Sequence, residues 1–213
     1  RLVERQAKAA TETRTSVSKK VEPKDILIVS GMPRSGTSVM MQMLHAAGIE
    51  ILKDNERVSD ANNPKGYFEW QRIKKLRQQP DLIDEADGKA VKVISMLLPY
   101  LPVGHRYKII YMDRDLSEIA ASQERMLQRM NPSRGASNVD NALDQMRGHR
   151  KKTKLLLSKI EGAEVLEICF ADLFSDPGLV VDRVIPFLGE MARAQREAML
   201  ACVEKDLYRE RKV

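Results

Sequence analysis

The sequence has few of the residues that mark disulfide frameworks and metal centres: its 213 residues include two Cys and three His. Cys169 and Cys202 form no Cys-x-x-Cys pair, and no His-Glu-x-x-His motif occurs. Neither a disulfide scaffold nor a zinc hydrolase is therefore indicated. Because disulfides persist in oxidising compartments, this cysteine usage favours a cytoplasmic protein.

Long apolar runs and a nucleic-acid-binding composition are also missing. The strongly apolar runs, such as residues 26–29, are only a few residues long, whereas a membrane helix needs about 20. Aromatic residues make up 5% of the chain, and nucleic-acid surfaces usually interleave them with basic residues. Much of the net charge of +6 lies in residues 1–24. We expect no membrane span, no nucleic-acid partner, a basic tail or linker over residues 1–24 and one domain over residues 25–213.

Strand-length apolar runs alternate with helical patterns along that domain. The predicted strands are residues 26–29, 90–94, 108–112 and 164–170, and the predicted helices are residues 37–48, 67–79, 116–130, 139–160, 178–188 and 191–204. Residues 53–66 are predicted to form a long surface loop, and Pro186 to break or kink its helix. This alternation predicts an α/β domain with a mostly parallel sheet covered on both faces, whose strand order is not readable.

The segment of residues 31–38, which we call the anion loop, lies between the first strand and the first helix. It reads Gly-Met-Pro-Arg-Ser-Gly-Thr-Ser and has the Gly-x4-Gly spacing of a P-loop. Such a loop turns backbone N–H groups towards an anion at a helix N-terminus. Thr37 stands where a nucleotide hydrolase has its lysine, and the nearby cation is Arg34, whose planar fork of donors suits an anionic group.

Two motifs in this order resemble those of the P-loop sulfotransferases. The run from Pro33 to Ser38 resembles their 5'-phosphosulfate-binding loop, and its arginine is similar to that of the tyrosylprotein and bacterial branches. Arg114, after a strand, and Ser122, eight positions on, resemble the second signature. Residues 63–69 and 170–177 are also similar to family segments. The resemblance spans about residues 25–211 and implies a P-loop three-layer αβα fold.

The resemblance also implies a donor, 3'-phosphoadenosine 5'-phosphosulfate (PAPS), a product, 3'-phosphoadenosine 5'-phosphate (PAP), and no metal. The donor-binding residues would be Arg34, Ser35, Gly36, Thr37 and Ser38 in the loop, with Arg114 and Ser122 on the 3'-phosphate. Arg34 and the loop amides would stabilise the leaving phosphate. Glu69, in an aromatic segment, is the candidate base, whereas Lys65 and Lys92 are interpreted as solvated lysines outside the site.

Two other functions stay open at this point. A P-loop phosphotransferase of the kinase type would use Asp113, at the end of an apolar strand, as a magnesium ligand. A non-catalytic nucleotide-binding module would keep the loop and modify no acceptor. The sequence does not identify the acceptor, whose hydroxyl or amine can belong to a carbohydrate, a peptide, a lipid or a small molecule. The oligomeric state is open as well. The candidates for an apolar acceptor pocket are Met96, Leu97, Leu98 and Tyr100, although core packing is favoured.

Overall fold

The computed structural model describes residues 25–54, 66–133, 139–191 and 195–204. Its centre is a five-stranded sheet with the strand order β2-β3-β1-β4-β5, and every neighbouring pair is parallel. The strands are β1 (Ile26–Gly31), β2 (Ile51–Leu52), β3 (Ala90–Ile94), β4 (Tyr107–Asp113) and β5 (Ala163–Cys169). Because the strands are parallel, the segments after β1, β3, β4 and β5 all emerge at one edge of the sheet.

Helices cover both faces of the sheet. The α-helices are α1 (Thr37–Ala46), α2 (Leu116–Met130), α3 (Val139–Leu157), α4 (Asp172–Ser175), α5 (Pro177–Leu188) and α6 (Arg196–Leu200), and 3-10 helices span Gln71–Lys75, Pro80–Ala86, Leu98–Tyr100 and Gly189–Met191. Leu27 and Val29 of β1 belong to one apolar core with α1 and α5, whereas Ile26 and Ile28 belong to a second core on the opposite face. This two-sided burial explains the continuous apolar run of β1 and confirms the predicted α/β architecture.

The segment after the first loop differs from its prediction. Residues 67–79 do not form one α-helix: residues 66–70 are irregular, and only the 3-10 helix Gln71–Lys75 follows. Phe68 has a left-handed backbone, with φ of 50°, and Trp70 is extended. These two conformations interrupt the helical path, because a continuous helix needs a right-handed backbone at every residue.

The C-terminal helices also differ from their predictions. Helix α5 runs through Pro186 and ends at Leu188; the proline lies in its last turn, where little of the helix remains to be broken. The predicted helix at 191–204 is reduced to α6, and α3 ends at Leu157 rather than at 160. Most of the predicted loop at 53–66 and the whole tail at 1–24 lie outside the described residues. Among the described helices, none is both long and apolar enough to cross a membrane.

Candidate functional site

The anion loop connects the end of β1 to the start of α1, and its glycines have no room for a side chain. Gly36 precedes α1 with φ of 97°. A Cβ atom at Gly36 would lie 2.2 Å from Cδ2 of Phe170, which follows β5. Position 36 therefore requires a glycine, because of its left-handed backbone conformation and because the aromatic ring leaves no room for a Cβ atom.

Arg34 brings the two predicted donor motifs into contact. Its backbone is left-handed, with φ of 75°, a conformation that is costly for a residue with a side chain and that concentrates at functional sites. Its carbonyl oxygen accepts a hydrogen bond from Nη1 of Arg114 over 3.0 Å. Its own Nε donates to Oγ of Ser122, also over 3.0 Å. The loop and the second motif thus meet through both the backbone and the side chain of Arg34.

Arg114 is buried, with 7% of its surface exposed, and its charge is balanced by two neighbours. Its Nε donates to Oε2 of Glu118 over 2.9 Å, and its guanidinium carbon lies 4.2 Å from the centroid of the Phe170 ring. The sequence reasoning missed Glu118 and Phe170. The four-residue spacing of Arg114 and Glu118, across the start of α2, was a signal for the pair, whereas nothing local connects Phe170 to it.

Lys92 is a third residue that the sequence reasoning left out of the site. It lies in β3 with only 6% of its surface exposed, so the interpretation as a solvated lysine was wrong. Its Nζ donates to Oγ of Ser38 over 2.9 Å and to the carbonyl oxygen of Tyr67. Lys92 therefore ties the anion loop to the segment that carries Glu69. The available signal was a lysine at a central position of an apolar strand, since buried lysines are rare without partners.

These elements line one cavity of about 570 Å³, within the size range of small-molecule sites. The predicted site residues that line it are Arg34, Gly36, Thr37, Ser38, Glu69 and Arg114, and Lys92 joins them. Ser122 is buried and meets the cavity through its bond to Arg34. Ser35 is not among the lining residues: it is fully buried, and its hydroxyl lies beside Gly31, beneath the loop.

Glu69 lines the same cavity as the anion loop. It is half-buried, and its backbone oxygen accepts a hydrogen bond from the Asp54 N–H over 3.0 Å. The amide of Gln71 donates to its carboxylate over 3.4 Å. Since Lys92 fixes the backbone two residues earlier at Tyr67, the Glu69 carboxylate is held in the same cavity as Arg34.

Asp113, the candidate magnesium ligand of the kinase alternative, forms its contacts with helix α3 and not in the cavity. Its carboxylate forms ion pairs with Arg150 and, over 2.9 Å, with Lys154, both on α3. Burial raises the pKa of Asp113, but hydrogen bonds from Lys154 and Arg150 outweigh burial and hold the pKa below its ordinary value. Asp113 is not among the cavity-lining residues. Within the described ranges, no three His, Cys, Asp or Glu side chains come together as a metal site.

Comparison with known proteins agrees with this architecture. The model of the sulfotransferase domain matches residues 23–209, and because it covers most of the chain, the protein belongs to the sulfotransferase domain family. No curated protein matches the chain significantly.

Two solved structures show the same fold. One is sulfotransferase STF9 from Mycobacterium avium, with a TM-score of 0.54 and 18% identity, covering 84% of this chain and 67% of that one. The other is the sulfotransferase domain from the curacin biosynthetic pathway, with a TM-score of 0.50 and 16% identity, covering 86% of this chain and 79% of that one. At these identities the likeness concerns the fold alone.

Proposed function

We propose that this protein transfers a sulfuryl group from PAPS to a hydroxyl or amine acceptor, without a metal. The observation that carries the proposal is the contact between Arg34 and the second motif, through the Arg114 and Ser122 hydrogen bonds. It gathers two guanidinium groups and a hydroxyl beside a helix N-terminus, and this set of donors suits a ligand with two separate phosphate groups.

The residues present fit such a donor. The first N–H groups of a helix have no partner within it, and here Gly36, Thr37 and Ser38 bring them to the cavity; they would hold the 5'-phosphosulfate. Arg114 and Ser122 would hold the 3'-phosphate, and Arg34, which is hydrogen-bonded to both residues, would join them to the loop. Ser35 would support the loop from below through its backbone bond to Met32. When bound, PAPS supplies the activated sulfuryl group.

The chain's own residues would then position and stabilise the reactants. Arg34 and the loop amides would stabilise negative charge on the oxygen that leaves with PAP, in the manner of preorganised electrostatic stabilisation. Glu69 would accept the proton of the acceptor group. Lys92 would keep Glu69 and the loop at a fixed separation, since it is bonded to both segments.

The contacts of Asp113 argue against the kinase alternative. A magnesium ligand needs carboxylate oxygens that face the nucleotide, whereas the Asp113 carboxylate is paired with Arg150 and Lys154 outside the cavity lining. The cytoplasmic location stays a prediction from cysteine usage.

Calorimetric titration in magnesium-free buffer tests the donor assignment. We expect PAP to bind more tightly than ADP, and Arg114→Ala to abolish this preference, because the 3'-phosphate distinguishes the two ligands. Arg106→Ala is the matched control, since Arg106 forms an exposed pair with Asp25 away from the cavity. Equal affinity for PAP and ADP in the unaltered protein would overturn the proposal. PAP binding without turnover of any acceptor would favour the non-catalytic module.

A further inference from the structure

We propose that Phe68 is a positioning residue for Glu69. Its left-handed backbone turns the chain so that Glu69 lines the cavity together with its neighbours Tyr67 and Trp70. This inference rests on the proposed function, in which Glu69 accepts a proton, and it adds the residue that places the Glu69 carboxylate.

Phe68 has an uncommon backbone conformation for a bulky residue. Among the described residues, Arg34 and Phe68 are the two non-glycine residues with a positive φ, at 75° and 50°. Steric clashes make this conformation an outlier for a bulky side chain, and it persists only where the surrounding structure holds it. Arg34 binds the donor in the proposed function, and Phe68 directly precedes the candidate base. Both strained positions therefore adjoin the proposed chemistry.

The conformation of Phe68 affects the direction in which its neighbours face. Tyr67, Glu69 and Trp70 line the cavity, whereas Phe68 is not among the lining residues. Successive residues of an α-helix are rotated by about 100°, so Tyr67 and Glu69 would face nearly opposite sides of a helix. In an extended strand, alternation would separate Glu69 from Trp70. A left-handed residue between Tyr67 and Glu69 follows neither pattern, and all three neighbours line one cavity.

The aromatic rings on either side of Glu69 belong to different cores. Phe68 packs against the core that contains α1 and α5, whereas Trp70 belongs to the second core, on the opposite face of the sheet. Nζ of Lys53 lies 4.9 Å from the centroid of the Phe68 ring. The centroid of the His45 ring lies 6.0 Å from the same point. Glu69 is therefore placed between two anchored aromatic residues.

Hydrogen bonds fix the backbone on both sides of the left-handed position. On its N-terminal side, Nζ of Lys92 donates to the carbonyl oxygen of Tyr67. On its C-terminal side, the Asp54 N–H donates to the carbonyl oxygen of Glu69 over 3.0 Å, and the Asp54 carboxylate accepts from the Gln71 N–H. The chain is thus held one residue before and one residue after the strained position, which is the arrangement that maintains a strained backbone.

Trp70 is the single tryptophan of the chain, so its fluorescence reports on this segment. It is 5% exposed, and acrylamide should quench it weakly in the unaltered full chain. Phe68→Val and Phe68→Gly both remove the ring, but glycine adopts a positive φ freely, whereas a β-branched residue does not. We expect Phe68→Val to raise the acrylamide quenching constant about threefold or more, because the segment leaves its strained conformation. Phe68→Gly should raise the constant less.

Phe187→Val is the matched control. Phe187 is also half-buried against the first core, and Nζ of Lys108 lies 5.1 Å from its ring centroid. It lies in helix α5 and does not line the cavity, so its substitution should leave the quenching of Trp70 unchanged. Equal quenching in Phe68→Val and Phe68→Gly, an unaltered constant in Phe68→Val, or an equal rise in Phe187→Val would overturn the inference. If Phe68→Val does not fold, Phe68→Ala takes its place with the same expected order.

Titration of the unaltered protein with PAP and ADP separates this inference from the proposed function. A preference for PAP together with equal quenching in the two Phe68 variants would overturn the positioning role alone. Equal affinity for PAP and ADP together with the expected order of quenching would overturn the donor assignment alone. With an acceptor identified by screening, kcat should be lower in Phe68→Val than in Phe68→Gly, and equal kcat values would contradict a role that acts through Glu69.

Discussion

The Nε atom of Arg34 lies 3.0 Å from Oγ of Ser122, although 88 positions separate the two residues in the chain. This contact joins the loop after β1 to helix α2 after β4, and β1 and β4 are neighbours in the sheet. A donor with phosphates at both ends would meet a site whose two halves are already held together. Preorganisation of this kind lowers the conformational cost of binding.

Ser122→Ala should lower PAP affinity about tenfold, because one hydrogen bond to a charged group contributes about 1.5 kcal/mol. ADP affinity should change little, since ADP lacks the 3'-phosphate. Calorimetric titration of both ligands measures the difference. Ser158→Ala is the control, because Ser158 is exposed, its hydroxyl donates to the Leu155 carbonyl oxygen and it does not line the cavity. An equal loss for PAP and ADP would contradict a role at the 3'-phosphate.

Gly36→Ala should destabilise the fold and abolish donor binding, and Gly104→Ala is its matched control. Both glycines have a positive φ, 97° and 89°, but a Cβ at Gly104 meets no atom within 4 Å. Gly104→Ala should therefore cost only backbone strain, about 1 kcal/mol. Gly36→Ala must also displace the Phe170 ring. Thermal denaturation of both variants measures the difference. Equal destabilisation by the two variants would rule out the steric argument.

Four of the five strands and the anion loop were predictable from the sequence because they depend on local patterns, whereas the two-residue strand β2 was not predicted. The apolar run of β1 and the glycine spacing of the anion loop are properties of neighbouring residues, and the structure places both as expected. The strand order was not predictable, since pairing joins residues far apart in the chain. The helix predicted over residues 67–79 was wrong because Lys92, on strand β3, donates a hydrogen bond to the backbone of that segment at Tyr67. Tertiary contact of this kind overrides local helix propensity.

Within the site, the residues with motif spacing were predictable and their partners were not. Arg114 and Ser122 could be named from their resemblance to the second sulfotransferase signature, and the structure brings both to Arg34. Phe170 packs on Gly36 and Arg114 only because β5 lies beside β4. Lys92 was dismissed because a lysine is usually solvated, whereas its ammonium group is held by Ser38 and Tyr67, which are distant in the chain.

Lys92→Met should reduce turnover at least about tenfold and lower the melting temperature, because a buried carbonyl oxygen at Tyr67 would lose a charged donor. The loop and the Glu69 segment would no longer be joined through Ser38 and Tyr67. Steady-state kinetics with saturating PAPS, together with thermal denaturation, measure both effects. Lys89→Met is the control, since Lys89 forms an exposed pair with Glu50. If Lys92→Met turns over at the rate of the unaltered protein, Lys92 does not contribute to turnover by joining the anion loop to the Glu69 segment.

Asp113→Asn should destabilise the protein at neutral pH by about 2 kcal/mol, because the carboxylate bonds two cations from a buried position. The folded-state pKa of Asp113 lies below its ordinary value, so the carboxylate stabilises the fold above the unfolded-state pKa of about 4. That contribution decreases as the pH falls below 4 and is lost below the folded-state pKa. Urea denaturation from pH 7 to pH 3 measures the free energy of unfolding of both proteins, and we expect the two values to converge as the pH falls.

The control for this pH series is Asp182→Asn, which removes an exposed ion pair with Arg196. Exposed pairs are screened by water and contribute little, so this variant should follow the unaltered protein at every pH. If the difference in free energy of unfolding between Asp113→Asn and the unaltered protein stays constant down to pH 3, the titration of Asp113 is not the cause of that difference.

Glu69→Gln should lower kcat by about a hundredfold or more while PAP affinity stays unchanged, because a general base contributes to proton transfer and not to donor binding. The amide keeps the size of the carboxylate, so the loss reports on the missing base. Glu85→Gln is the control: Glu85 pairs with Arg72 on the surface, and its kcat should equal that of the unaltered protein. Steady-state kinetics with an acceptor identified by screening measure the effect on kcat, and PAP titration measures the effect on donor binding. Full turnover in Glu69→Gln would remove Glu69 as the base, whereas a loss of PAP affinity would assign it to donor binding.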